Sequence, residues 1–370
     1  MKRYKRSDRL GGWLWRFLVL AGLLGLIGTV ILPDRDFSGV ENRVLKTGIS
    51  GTGALGSRVE ALYSDQFVGR DQLFELGYIG RRLTGQKEIN GVYIGRDLMA
   101  METRSYDEAQ MVSLCGAVRD FQARTGLPVT VEIVPDSAWV NQDKLPAFSP
   151  VADEGAVLAQ MPGFLGESVG FVDGAQALES HKEEYLYYRT DHHWTSRGAF
   201  YGYCALAAAK GWDGTEESGY DVLQASGRFQ GTLSSRTGNP FMKDSVDLWV
   251  ARTMPEYMME REDRKYPSMY VESALDDRDK YQVFTGSNTG VVTFEVDQDS
   301  DVRLLVFKDS FADSMMQFLI PQCRSVTMVD PRYFSGSLDL LLEEGMFTDV
   351  VFLYSYDSWM SDRSLAGLIS

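Results

Sequence analysis

Two short segments hold the residue types from which acyl-transfer chemistry is assembled. Thr190-Asp191-His192-His193-Trp194-Thr195-Ser196-Arg197-Gly198 contains two of the chain's three histidines. Far downstream, Val302-Arg303-Leu304-Leu305-Val306-Phe307-Lys308-Asp309-Ser310-Phe311 reads as a buried strand that ends at a serine. Histidine is the side chain best suited to moving protons near neutral pH. A serine hydroxyl attacks only when a base takes its proton, and a carboxylate beside that base fixes its tautomer and stabilises its charged form. Asp191 and His193 lie two apart, which sends both side chains to one side of an extended segment or tight turn. A serine at a strand-to-helix turn stands where backbone N–H groups can hold a developing oxyanion. The assignment is therefore Ser310 as nucleophile, His193 as base and Asp191 as orienter. Trp194 would wall the site against water, and Asp309 or Asn239, in the Gly238-Asn239-Pro240 turn, would lend support at the oxyanion.

Each segment also has a plainer explanation. An Asp-His pair at a helix start can simply satisfy backbone groups, and Ser310 or Asp309 can be an ordinary N-cap. Ser314 is a weaker nucleophile candidate inside the following helix. Asp191, His192, His193 and His181 offer zinc-ligand atoms, but adjacent histidines rarely face one point and there is no Cys-x-x-Cys pair. No Gly-rich phosphate loop followed by Lys-Ser/Thr is present. The expectation is a site with no metal and no cofactor.

These segments need a scaffold, and the composition allows one. The 370 residues are 44% hydrophobic and 24% charged, which suits a folded body with a large core. The net charge of −15 includes a basic start (Lys2, Arg3, Lys5, Arg6, Arg9, Arg16), so the remainder is more acidic still. An acidic body argues against a nucleic-acid partner. Trp13–Leu32 is a nearly unbroken apolar run behind that basic cluster. Its length suits one transmembrane helix, with the tail 1–12 inside and the body outside the cytoplasm. A cleaved signal peptide competes with this, but the run is long and lacks a convincing small-x-small cleavage site, so an uncleaved single-pass anchor is expected. Residues 33–54, polar and Gly-rich, read as a stalk. Cys115, Cys204 and Cys323 leave at least one thiol unpaired, and apolar surroundings suggest buried free thiols.

Along the body, 55–90 and 106–125 read as helical and Asn90–Asp97 as a short strand between turns. Pro128–Pro135 is a β-rich run stopped by Pro135-Asp136-Ser137. Val302–Phe307, Ser325–Val329 and Asp349–Tyr354 are apolar runs of strand length, separated by helix-like stretches at Ala312–Leu319 and Gly336–Glu344. Runs of that kind belong to parallel strands covered on both faces. Active residues in such sheets gather at the carboxyl ends of strands, which would place Ser310 and Asp136 together. Residues 211–300 lose this rhythm and read as an insertion, partly β (Gly290–Val296) and partly loop.

Tyr188-Arg189-Thr190-Asp191-His192-His193-Trp194-Thr195 resembles the signature of the DHHW protein family. That family is similar to the periplasmic alginate O-acetylation proteins, whose SGNH-hydrolase-like domain carries an Asp-x-His-Trp motif followed by a serine in a Gly-Asp-Ser-Phe-like segment. The resemblance extends to Asp65–Asp71, Asn90–Arg96 and Val134-Pro135-Asp136. It implies that Asp191, His193 and Ser310 are the triad and that His192 fills the variable position. Lys308 departs from the pattern, standing where the family often has Gly. The fold implied is α/β, an SGNH-like doubly wound parallel sheet over 55–370 with the insertion at 211–300, preceded by the anchor at 13–32. The function implied is O-acetylation of a cell-surface polysaccharide, with an acyl donor and a membrane-bound O-acyltransferase as partners. The same triad would serve a carbohydrate esterase, with water as acceptor. A non-catalytic glycan-binding or assembly factor is the reading outside enzymology.

Overall fold

The computed structural model describes residues 4–214 and 216–370, with side chains from Gly12 onward except Leu14. The chain divides into two compact units, Met1–Gln86 with Ser235–Pro240, and Lys87–Ser234 with Phe241–Ser370.

The first unit holds three helices, α1 (Tyr4–Ile31), α2 (Leu55–Gln66) and α3 (Arg70–Leu83). The basic cluster at 2–9 lies outside the described side chains. Among the described residues no helix is long and apolar enough to cross a membrane. Helix α1 covers nearly all of the expected anchor, but its described side chains run unbroken only over 15–31. The helix read over 55–90 is two helices: the first ends at Gln66 with Phe67 as its C-cap, and Gly69, with a left-handed φ of 81°, opens the second, which ends at Leu83. Residues 33–54 are tied to these helices. Asp71 accepts from Arg35 (2.6 Å) and Ser38 Oγ (2.9 Å), and Asp65 accepts from Arg43 Nη2 (2.5 Å) and the Lys46 N–H (2.9 Å). The Asp65–Asp71 motif is thus a latch for the chain ahead of it.

The second unit is built on one eight-stranded sheet. Its strands are β1 (Val129–Val134), β2 (Val169–Asp173), β3 (Tyr257–Arg261), β4 (Arg264–Tyr266), β5 (Val291–Val296), β6 (Arg303–Lys308), β7 (Ser325–Val329) and β8 (Asp349–Ser355). The order is β4-β3-β5-β7-β6-β8-β1-β2. From β7 to β2 all neighbours are parallel. Successive strand residues serve two cores. Leu304, Val306, Val351 and Leu353 face one that includes Trp194, Phe200 and Phe318, while Leu305, Phe307, Val350 and Phe352 face another with Leu114, Phe121 and Trp359. Helix α4 (Glu108–Thr125) covers the second face, whereas α5 (Ser196–Lys210) and α6 (Phe311–Leu319) cover the first. This is the doubly wound arrangement expected, with burial on both sides explaining the continuous apolar runs.

Two expectations change. The sheet is mixed rather than wholly parallel: β3, β4 and β5 join it antiparallel, β5 against β7. They come from within 211–300, so that segment supplies three strands to the central sheet, one of them, β5, lying in the run Gly290–Val296 read as β. The rest forms a ribbon of Tyr220–Phe229 with Asp244–Ala251 and several helical turns. Strand β2 had no clear signal because it is an edge strand that buries fully only Val169 and Val172.

Candidate active site

The site lies at the carboxyl end of β6, where Ser310 follows Lys308 and Asp309 and opens α6. Ser310 has φ −66° and ψ −11°, and Lys308 is absent from the residues with positive φ. The turn therefore asks for no glycine, and the departure at Lys308 has another use. Lys308 Nζ meets Asp313 Oδ1 at 2.7 Å, both side chains buried, and Thr285 Oγ1 donates to the same oxygen at 3.0 Å. This clasp fixes the last residue of β6 to the first turn of α6. Asp309 does the capping. Its Oδ1 accepts the Phe311 N–H (2.9 Å), while Oδ2 accepts the Ser355 N–H (2.9 Å) and hydroxyl (2.6 Å) at the end of β8. Asp309 holds the turn to the neighbouring strand and is not an oxyanion donor.

The Asp191–His193 segment is a tight loop before α5, closed by a bridge between Tyr187 and Trp194. Thr195 caps α5 by accepting the Gly198 N–H at 3.3 Å. Asp244 accepts from the Thr190 N–H (2.7 Å) and hydroxyl (2.6 Å), pinning the loop to the ribbon. Gly231 backs onto Asp191 so closely that a Cβ would lie 2.3 Å from Oδ2.

The three sequence-derived residues come together. His193 Nε2 is 2.7 Å from Ser310 Oγ and His193 Nδ1 is 2.5 Å from Asp191 Oδ1. The free oxygen of Asp191 is also held, accepting the Thr232 N–H (2.7 Å) and hydroxyl (2.9 Å). Burial pushes Asp191 up, but the His192 and His193 charges and the hydrogen bonds outweigh it and keep the carboxyl far below its ordinary range. An ionised Asp191 has no proton to give, so Nδ1–H of His193 donates to it and Nε2 is left to accept from Ser310. Burial, with His192 alongside, lowers His193 to about 4 against the pull of Asp191. The imidazole is thus neutral at physiological pH, with Nε2 unprotonated.

Other candidates are placed differently. Trp194 is fully buried and its indole N–H donates to the Phe311 carbonyl at 2.9 Å, so it props the serine turn from beneath rather than walling the mouth. His192 Nδ1 is 2.8 Å from Thr232 Oγ1, outside the relay. Because that hydroxyl donates to Asp191, His192 donates to it. His181 stacks on Tyr201 at 3.6 Å and pairs with Glu184, apart from the cluster. Asn239 is buried in the first unit and the triad lies in the second. Ligand atoms of Asp191, His192 and His193 lie within 4.8 Å of one another. Both ring nitrogens of His193 are already engaged, so a metal there would displace the contact with Ser310. The cysteines are free, Cys115 and Cys323 buried, and burial pushes the Cys115 thiol up to about 12.

Tyr281 is the participant that sequence reasoning missed. Its ring lies parallel to His193 at 3.8 Å, and its hydroxyl donates to the Ser310 carbonyl at 2.9 Å and sits 3.1 Å from Ser314 Oγ. One side chain from the irregular 211–300 stretch therefore holds both base and nucleophile. Burial raises the Tyr281 phenol well above its ordinary value, so it stays a donor. Tyr281→Phe is expected to slow acylation several-fold and Tyr281→Ala by about a hundredfold, since small misplacements of reacting groups cost about that much. Stopped-flow acylation kinetics check this, and equal losses in the two variants would remove the stacking role.

Beside Ser310 opens a cavity of about 160 Å³, lined by His192, Ser137, Asp136, Arg332 and Asp357 among others.

The fold has solved counterparts. A DHHW family protein from Eubacterium siraeum superposes with a TM-score of 0.64 at 22% identity, covering 75% of this chain and 95% of that one. Bacillus cereus PatB1, solved with a sulfonyl adduct, gives 0.62 at 18% identity, covering 75% and 97%. The O-acetyltransferase domain of Pseudomonas putida AlgJ gives 0.47 at 16%, covering 76% and 99%. No curated protein matches the sequence. Residues 153–329, the stretch that carries Asp191, His193 and Ser310, match the family model described as DHHW protein.

Proposed function

We propose that this protein is an extracytoplasmic acyltransferase that O-acetylates a surface polysaccharide through Ser310. The observation that carries the proposal is the continuous relay from Asp191 through neutral His193 to Ser310 Oγ. Ser310 Oγ attacks the carbonyl carbon of an acyl donor as His193 Nε2 takes its proton. The Ser310 N–H at the start of α6 steadies the tetrahedral oxyanion. Collapse expels the leaving group, which receives the proton from His193, and leaves an acyl-serine. A sugar hydroxyl then gives its proton to Nε2 and attacks the ester, restoring the serine. A reactive nucleophile on this fold is in keeping with the sulfonyl adduct carried by PatB1. The apolar run at 13–32 serves as the anchor in this reading, holding the body near a membrane-bound O-acyltransferase that supplies acetyl groups.

The pH dependence tests the base. His193 works unprotonated, and its value of about 4 puts the acidic limb of kcat/KM near pH 4 instead of near 6.5. Activity is present above that limb and lost below it. Stability follows the same sign, because the unfolded histidine takes its proton first, so the native state weakens as pH falls from 6.5 toward 4. Hydrolysis of p-nitrophenyl acetate across pH 3.5–8 reads the limb, with Ser310→Ala as the control that abolishes it. A limb at 6.5, or turnover that survives in Ser310→Ala, contradicts the assignment.

A further inference from the structure

One carboxyl is enclosed where the triad chemistry has no use for it. Glu132 lies within β1, opposite Leu353 of β8 and Val172 of β2, and is 0% exposed. Neither of its carboxyl oxygens has a hydrogen-bond partner in the protein. A Cβ built on Gly202 of α5 would sit 3.0 Å from Glu132 Oε1 and 2.7 Å from Cζ3 of Trp194, so the carboxyl and the indole meet over one glycine. The indole has nothing to donate to the carboxyl, because its one N–H is engaged by the Phe311 carbonyl.

The charged groups on the surrounding elements are all directed elsewhere. On α5, Arg197 pairs with Glu184 and Glu217, Tyr201 bonds Glu184, and Lys210 pairs with Asp349 at the start of β8. Tyr203 and Cys204 of the same helix bring no charge at neutral pH. Asp173, ending β2, caps the short helix Gly174–Glu179 by accepting two N–H groups, and Glu179 is exposed. His193 is held between Asp191 and Ser310, and Asp313 of α6 by Lys308. Burial is accordingly the sole influence on Glu132, and it holds the carboxyl well above its ordinary value. An isolated carboxylate in such a place costs too much to persist, so the group keeps its proton.

We propose that Glu132 is a positioning residue and a pH-sensitive element of the acylation site: neutral, it packs behind Trp194, and on losing its proton it unseats the tryptophan that props the serine turn. An anion over Gly202 must draw water or a donor toward itself, and the group that gives way there is the indole. Trp194 carries the Phe311 carbonyl at 2.9 Å, one residue past Ser310, so its displacement loosens the start of α6. The proposal rests on the acyltransferase reading only for its effect on rate.

The test has a stability arm and a site arm. Urea unfolding of the full-length protein and of Glu132→Gln is measured at pH 5, 6 and 7. The unfolded chain releases the Glu132 proton above about pH 4.3 and the folded chain retains it, so stability falls as pH rises toward the folded value. The ratio of unfolding constants, wild type over variant, is expected to rise about tenfold per pH unit. Glu132→Met, apolar and of similar length, should give the same slope even if the glutamine amide disturbs the core. A flat ratio in both variants overturns the proposal, because Glu132 would then titrate alike in the two states. The site arm follows acetylation of Ser310 by p-nitrophenyl acetate from pH 6 to 9 by intact mass. Wild type is expected to lose rate more than about tenfold along an alkaline limb that both variants lack, the scale of a small misplacement of reacting groups. Identical profiles overturn the link to the serine turn. If no acetyl-enzyme forms, the acyltransferase reading is what fails, and hydrogen exchange at the Phe311–Asp313 amides decides instead. Protection that falls with pH in wild type relative to Glu132→Gln sustains the proposal, and equal protection overturns it.

Discussion

Asp191→Asn is expected to slow acylation of Ser310 by about 10³- to 10⁴-fold while leaving the protein folded, as loss of the orienting carboxylate does in serine triads. The geometry explains the size of the loss. Asp191 Oδ1 holds Nδ1–H of His193, and Oδ2 is fixed by two donors from Thr232. An asparagine has one acceptor oxygen to divide between those demands. If that oxygen stays with Thr232, the amide NH₂ faces Nδ1 and forces the proton onto Nε2, which then cannot accept from Ser310. If the amide turns over, the Thr232 donors meet an NH₂ group instead. Stopped-flow acetylation with p-nitrophenyl acetate measures the rate, and circular dichroism confirms the fold. A loss below tenfold would show that Asp191 does not set the tautomer.

Lys308→Ala is expected to cost about 3–5 kcal/mol in chemical denaturation at pH 7, the usual cost of removing one partner from a buried pair. The substitution leaves Asp313 enclosed without its cation, retaining only Thr285. Asp313 already sits above its ordinary value because burial outweighs Lys308 and Thr285, and losing Lys308 raises it further. A carboxyl with a raised folded value contributes instability that grows as pH rises through the gap between its unfolded and folded values. The deficit should therefore shrink at pH 5, where Asp313 accepts a proton more easily. Lys308→Met with Asp313→Leu should recover much of the loss, since a buried pair replaced by apolar groups is often neutral. A pH-independent deficit would show that lost packing, not the stranded carboxyl, is responsible.

The parts of this molecule that read clearly from sequence are those where one physical demand dominates. The runs at 302–307, 325–329 and 349–354 became β6, β7 and β8 because strands buried on both faces must be apolar throughout. Asp191, His193 and Ser310 stood out because histidines are scarce and the serine ends a strand. What was hidden depends on residues far apart in sequence. Tyr281 sits in a short helical turn with no periodicity, and only the fold sets its ring against His193. Thr232 and Ser355 are ordinary polar residues until the chain places them on Asp191 and Asp309. Of the antiparallel extension, β5 was legible in the run Gly290–Val296, whereas β3, a short strand that buries only Met259 fully, looks like loop. Trp194 was assigned to the wrong surface because its type suggests a wall, while the tight loop turns it inward.

The most direct test of the central claim is to acetylate the protein with p-nitrophenyl acetate, quench in acid and map the modified peptide by mass spectrometry. The relay predicts a single acetyl group on Ser310, absent from Ser310→Ala and His193→Ala. An acetyl group on another residue, or one that persists in Ser310→Ala at the wild-type rate, would contradict it.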